Sequence, residues 1–160
     1  MNMKKLLIPF LFAVSPFSVL ANDEGLGVGL IAGSPTGLSM KYWTGKNVAI
    51  DAAAEWSTSG NDKFYFHADY LLHDYSLIKQ TELKAKLPLY YGLGVFIKLK
   101  EDVPGKGNDD DILAVRVPIG ISSQFTDSRL EVFVEIVPAL ELSPDTDLNI
   151  DAALGGRFYF

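Results

Sequence analysis

Past roughly the first twenty residues, apolar and polar positions alternate with a period of two along almost the whole chain. Leu148, Ile150, Ala152, Leu154, Phe158 and Phe160 fall on one face, interrupted only by Gly156, while Asn149, Asp151, Ala153, Gly155, Arg157 and Tyr159 fall on the other. Leu130, Val132, Val134, Ile136, Leu140 and Leu142 oppose Glu131, Glu135, Glu141 and Ser143. Leu113, Val115, Val117, Ile119 and Ile121 oppose Arg116, Gly120, Ser122 and Gln124, and the odd positions from Leu89 to Leu99 oppose Tyr90, Gly92, Gly94, Phe96 and Lys98. Earlier in the chain, Phe64 to Leu72 alternate with Tyr65, His67, Asp69 and His73, and Val48 to Trp56 alternate with Asp51, Glu55 and Ser57. Leu38, Met40 and Tyr42 oppose Ser39, Lys41 and Trp43, and Leu26, Val28 and Leu30 oppose glycines. Successive side chains of a strand point to opposite faces, so this period predicts strands; a helical period is hard to find after Asn22. The pattern predicts eight strands of about 8 to 14 residues, the length that crosses a bilayer when tilted.

Alternation alone fits two environments. A soluble sheet buries its apolar face and wets the polar one, whereas a membrane barrel turns the apolar face to lipid and encloses the polar one. An even strand count lets the sheet close, which satisfies every backbone group where no water can. The connections alternate with acidic or Gly-rich turns in an up-and-down order. Apolar-face aromatics gather near strand ends, with Tyr42, Phe125, Phe158 and Phe160 at one rim and Trp56 and Phe64 at the other, as two interfacial girdles would. The chain also stops at Phe160 in the middle of the pattern. The expected fold is all-β, an eight-stranded antiparallel up-and-down transmembrane β-barrel over residues 22–160.

Composition narrows this reading. A chain of 160 residues suggests one domain. The absence of cysteine excludes a disulfide scaffold and a thiolate metal site. Although 48% of residues are hydrophobic, no apolar run after the first twenty or so positions is long enough for a membrane helix. A formal charge of −6 argues against nucleic acid as a partner. Lys4 and Lys5, the apolar run from Leu6 to Val14, and Val19 and Ala21 at the −3 and −1 positions predict a signal peptide over residues 1–21, with the mature chain starting at Asn22. A retained helix is disfavoured by the shortness of that run and by Pro9 and Pro16.

The segment Gly155-Gly156-Arg157-Phe158-Tyr159-Phe160 resembles the C-terminal assembly signal of outer-membrane barrels, with Gly155, Phe158 and Phe160 at its marked positions. Ala153 stands where that signal usually carries a polar residue. The stretch from Gly33 to Trp43, followed by Ala49-Ile50-Asp51, resembles the opening hairpins of a family of small bacterial outer-membrane barrels of unassigned function. The mature chain is similar in architecture to OmpX and the OmpA transmembrane domain. This resemblance implies a cell outer membrane location, outer-membrane lipids and the barrel assembly machinery as partners, and a monomer. It implies no chemistry.

Two features fit less easily. Pro118 and Pro138 fall inside strands, where proline removes a ladder hydrogen bond, and bulges are expected to absorb them. The strand containing Leu89 is expected to begin as early as Glu82, after a long connection from Asp74 to about Thr81.

Eight strands enclose an interior that side chains just fill. The polar face supplies Lys41, Lys98, Arg116 and Arg157 against Asp51, Glu55, Asp69, Glu131, Glu135, Glu141 and Asp151, together with His67. Charges enclosed in this way must pair, so a salt-bridge plug of the lumen is the expected arrangement. Counting from the turn at Thr126–Arg129 places Glu135 opposite Gly120, whose missing side chain leaves room for Arg116 to reach Glu135. The function expected is structural, with surface loops available for contacts; a narrow ion pore or a lipid-modifying enzyme is the alternative. His67 and Asp69 with Ser39 or Ser57 nearby are the candidate catalytic groups, and a nucleophile of that kind needs a base within hydrogen-bond reach. The acidic segment from Glu101 to Asp111 matches no EF-hand spacing and reads as a solvated loop. Nothing in the sequence calls for a cofactor or a metal.

Overall fold

A computed structural model describes residues 25–34, 36–56, 62–77, 85–100, 110–125 and 127–160. The expected signal peptide, Ser57 and positions 101–109 of the acidic segment lie outside the described residues. The described residues form strands and connections, with no helix. The strands are β1 (Leu26–Gly33), β2 (Gly37–Gly45), β3 (Val48–Trp56), β4 (Asp62–Asp74), β5 (Ala85–Lys86), β6 (Leu89–Lys100), β7 (Ile112–Arg116), β8 (Ile119–Phe125), β9 (Leu130–Ser143) and β10 (Asp147–Tyr159).

All pairings are antiparallel. The order β1-β2-β3-β4-β6-β7-β9-β10 returns to its start because β10 pairs with both β9 and β1, giving a ring of eight strands. The two remaining strands are parts of ring members. β8 continues β7 beyond Val117 and Pro118, and β5 precedes β6 across Leu87 and Pro88. A closed ring leaves no free edge, so each strand's amides and carbonyls have a neighbour on both sides.

The prolines behave differently from the sequence expectation. Opposite β9, the pairs Arg116↔Ala139 and Ile119↔Ile136 lie on one continuous alignment, and opposite β6 so do Gly94↔Arg116 and Tyr91↔Ile119. Register therefore runs through Pro118 without a bulge. The neighbours fill in with Gly92 N–H donating to the Pro118 carbonyl and Val117 N–H donating to that of Pro138. Pro138 itself stays within β9. The register shift on β7 lies instead between Leu113 and Ala114. β5 is short, but Ala85↔Phe125 continues the alignment of Leu89↔Ile121, so that strand does extend back at least to Ala85.

The two faces of the ring are inverted relative to an ordinary globule. Val134 and Ile136 are 56% and 58% exposed, while Glu135 between them is 4% exposed. Leu30, Leu93, Leu148, Ile150 and Leu154 also stand outward and exposed, whereas Lys41, Asp51, His67, Asp69, Arg116, Glu131 and Arg157 are buried. Tyr42, Phe125, Phe158 and Phe160 are exposed at the end where Leu26 pairs with Tyr42 and Leu130 pairs with both Phe125 and Phe158. Trp56 pairs with Phe64 at the other end.

Candidate functional site

The buried charges share an interior because the strand period puts them all on one face and closure brings that face together. One cross-strand row runs Gly27, Lys41, Asp51, Asp69, Gly94, Arg116, Ala139 over seven neighbouring strands. Small residues, Gly27 and Ala139, flank the charged members, and a third, Gly94, stands among them. Gly94 lies between Asp69 and Arg116, and a Cβ there would collide with the Asp69 carboxylate. The small residue is what lets the Arg116 guanidinium approach Asp69.

Two linked halves result. In the first, Lys41 Nζ lies 2.7 Å from Glu131 Oε1, Arg157 Nη2 2.5 Å from Asp51 Oδ2, and Arg157 Nη1 3.5 Å from Glu131 Oε2. Ser39 Oγ accepts from Arg157 Nε at 2.9 Å, and the Tyr159 hydroxyl donates to Glu131. In the second half, Arg116 Nε lies 3.2 Å from Asp69 Oδ1 and Nη2 lies 3.3 Å from Glu135 Oε1. Arg116 Nη1 donates to the Tyr65 hydroxyl at 2.8 Å and to His67 Nδ1 at 2.7 Å, and the Tyr90 hydroxyl donates to Glu135 Oε2 at 2.8 Å. Asp51, His67 and Asp69 join the halves. A buried charge is tolerated only when its partners are in place, so each half stands or falls as a unit.

Aromatic rings close over this network. Phe133 lies under the Arg157 guanidinium at 4.0 Å, in room that Gly155 leaves, since a Cβ on Gly155 would collide with the ring. Lys41 Nζ sits 4.6 Å above the Trp43 ring, which packs on His73, and His73 packs in turn against Tyr90. On the far side Tyr65 stacks on Phe96 beside Ala114 and Ala139.

Of the sequence candidates, Lys41, Asp51, His67, Asp69, Arg116, Glu131, Glu135 and Arg157 meet in this network. Gly120 is paired with Glu135, and Arg116 reaches that carboxylate as the spacing anticipates, but the room over Gly120 is taken by Tyr90. Glu55, Lys98 and Asp151 are half-buried, less deep than the buried cluster. Glu55 accepts from the Thr36 amide, and Lys98 lies 5.9 Å over the Tyr65 ring. Phe158 and Phe160 face outward with their rings edge to face at 5.3 Å. The sequence reading missed Tyr65, Tyr90 and Tyr159 as members. Their inward parity is visible in the sequence, but a neutral hydroxyl carries no charge signal to mark it as a partner.

The candidate catalytic arrangement does not assemble among the described residues. Ser39 is engaged by Arg157, and the His67 ring nitrogens face Arg116, Asp51 and Asp69. Asp51, His67 and Asp69 do bring three donor atoms within 4.8 Å of one another, a spacing a metal ion could use. The donors do not suit one. Arginine can only donate, so His67 Nδ1 must accept and the ring proton sits on Nε2. The nitrogen facing the two carboxylates therefore has no lone pair to offer a cation.

No protein-family model, curated protein or solved structure matches this chain.

Proposed function

We propose that the chain is a transmembrane β-barrel of the bacterial outer membrane, structural in role, with a lumen plugged by its own side chains and with its connections available for surface contacts. The observation that carries this reading is the inversion of the two faces. A closed ring exposes a continuous apolar belt around its whole outside and buries seven carboxylate and cationic side chains within. In water such a belt has a large cost, since exposed apolar patches on soluble monomers are far smaller. In lipid it is the stable arrangement. The ring members, from eight-residue β1 to fourteen-residue β9, lie around the roughly 9–11 residues that a tilted membrane strand needs. The exposed aromatics at the two ends fit interfacial girdles.

The partners on this reading are outer-membrane lipids and, during insertion, the barrel assembly machinery, which would engage the segment containing Gly155, Phe158 and Phe160. Closure is complete within one chain, which favours a monomer. The plug favours a structural role over conduction, because paired charges and stacked rings occupy the interior. The test is cell fractionation with gel migration. The protein is expected with outer membranes and migrates faster unheated than boiled in mild detergent, as a closed barrel does. Recovery in the soluble periplasm would end the proposal.

A further inference from the structure

The buried charges do not balance. The half built on Lys41, Arg157, Glu131 and Asp51 is neutral, with two cations and two anions. The half built on Arg116 sets one guanidinium against two carboxylates, Asp69 and Glu135. His67 cannot supply the missing charge. A protonated imidazole would turn an N–H on Nδ1 toward the Arg116 Nη1 donor 2.7 Å away. The other groups facing the pair are the hydroxyls of Tyr65, Tyr90 and Tyr159 and the ring of His73, from β4, β6 and β10; the half-buried charges turned the same way include Lys98 on β6, which lies over the Tyr65 ring, Glu55 on β3 and Asp151 on β10, and these bring one cation and two anions, so they do not supply the missing charge; β1 and β8 contribute no ionisable side chain to the buried set. Among the described residues, the fully buried set is one positive charge short.

The structure also shows where it would go. Asp51 and Asp69 are direct cross-strand partners on β3 and β4, and two like charges so placed repel. Asp51 Oδ1 is buried without a hydrogen-bond donor, as is Asp69 Oδ1, whose Arg116 Nε contact is off the hydrogen-bond direction. His67 Nε2 lies 3.8 Å from Asp51 Oδ1 and 3.7 Å from Asp69 Oδ2, beyond hydrogen-bond reach of both. The Glu135 oxygens, by contrast, already accept from Tyr90 and Arg116.

We propose that Asp51 and Asp69 form a binding site for one proton, shared between an oxygen of each carboxylate, which neutralises the interior and ties its two halves together. A proton suits the site better than a metal ion. A hard cation needs six or more oxygen ligands, and here two carboxylates already turned toward arginines and one N–H are on offer. The proposal stands on the sealed ring itself and holds whatever solvent surrounds it.

The consequence is a dependence on pH with a definite sign. Unfolded aspartate gives up its proton near about pH 3.9, while the folded pair keeps one. The folded state then binds one proton more, so stability falls as pH rises, by about tenfold in the unfolding constant per pH unit while that difference lasts. Other carboxylates titrate as well, so the comparison is with Asp69→Asn, which removes the excess charge and the bound proton together. The purified protein, refolded in detergent micelles, is unfolded with urea across a pH series. The wild type is expected to lose stability relative to Asp69→Asn at about tenfold per unit. Infrared spectra in heavy water are expected to show a protonated-carboxyl band at neutral pH in the wild type and none in Asp69→Asn. Should that variant fail to fold, carbon-13 labelling of aspartate in the wild type reads the same carboxyl directly. Parallel pH curves, or a wild type with no protonated aspartate at neutral pH, would overturn the proposal, as would a stability set by added sodium or zinc instead of pH.

Discussion

Replacing Arg116 by alanine tests the plug at its most connected point. The side chain is 1% exposed and serves Asp69, Glu135, Tyr65 and His67 at once. Its loss leaves two buried carboxylates without their cation and two neutral groups without a donor. Removing one partner of a buried ion pair costs about 3–5 kcal/mol, because the charge left behind is uncompensated. The loss is expected toward the upper part of that range, since two anions share the one guanidinium, although a proton taken up by one of them would return part of it. Urea unfolding of the refolded protein in micelles, followed by tryptophan fluorescence and by heat-dependent migration, measures the change. Planar bilayers supply the second readout. The wild type is expected to carry no steady current. Arg116→Ala, if it folds, is expected to admit water and give small openings that prefer cations, because the remaining interior charge is net acidic. A loss below about 1 kcal/mol, the value of an exposed pair, would refute the argument that this network is sealed and tightly coupled. Large, stable channels in the wild type would refute the plug itself.

Two further outcomes test the faces and the end of the chain. Val134→Arg is expected to cost roughly 2–4 kcal/mol near the membrane midplane, and Glu135→Gln less, because the amide oxygen keeps an acceptor for Arg116 while its NH2 can donate to the Tyr90 hydroxyl; urea titration of both variants checks this, and the opposite ranking would put the in/out assignment off by one residue. Deleting Phe160, which stands outward just past the end of β10 with its amide donating to the Leu26 carbonyl, is expected to reduce assembled protein in membranes more than deleting one residue between Glu101 and Asp111, and equal yields on a folded-to-unfolded gel would count against an assembly role.

The faces were legible in the sequence because the strand period is two and nearly every strand keeps it. Val134, Glu135 and Ile136 show why: one residue of slip would put the glutamate outside and both aliphatics within, so pattern and register cannot disagree quietly. Pairing geometry was partly legible. Gly120 opposite Glu135 follows from counting along a tight turn, because antiparallel register is fixed by the turn that joins the strands. The effect of the prolines was not legible. Sequence tells that Pro118 cannot donate, but not that Gly92 and Pro138 on the flanking strands would hold the alignment across it. Contacts between strands far apart in the chain were equally out of reach. That Arg157 would meet Asp51 and Ser39, or that Lys41 would meet Glu131, depends on closure, which brings β10 and β2 to one interior. That Glu55, Lys98 and Asp151 are only half-buried also depends on depth, and parity along a strand carries no information about depth.

Closure makes strand alignment a property of the whole wall. In an open sheet a strand that slips by a residue disturbs one or two seams and the outermost strand absorbs the error. Here β10 is held to β1 as well as to β9, so the offsets around the circuit must add to a fixed total, and a slip at one seam has to be cancelled at another. The sole departure on β7, at Leu113 and Ala114, lies toward the start of that strand, before Arg116, and Arg116 itself keeps its place in the charged row. An inserted or deleted residue inside any ring member should therefore be felt on the opposite side of the molecule, while the connections between them remain free to change in length.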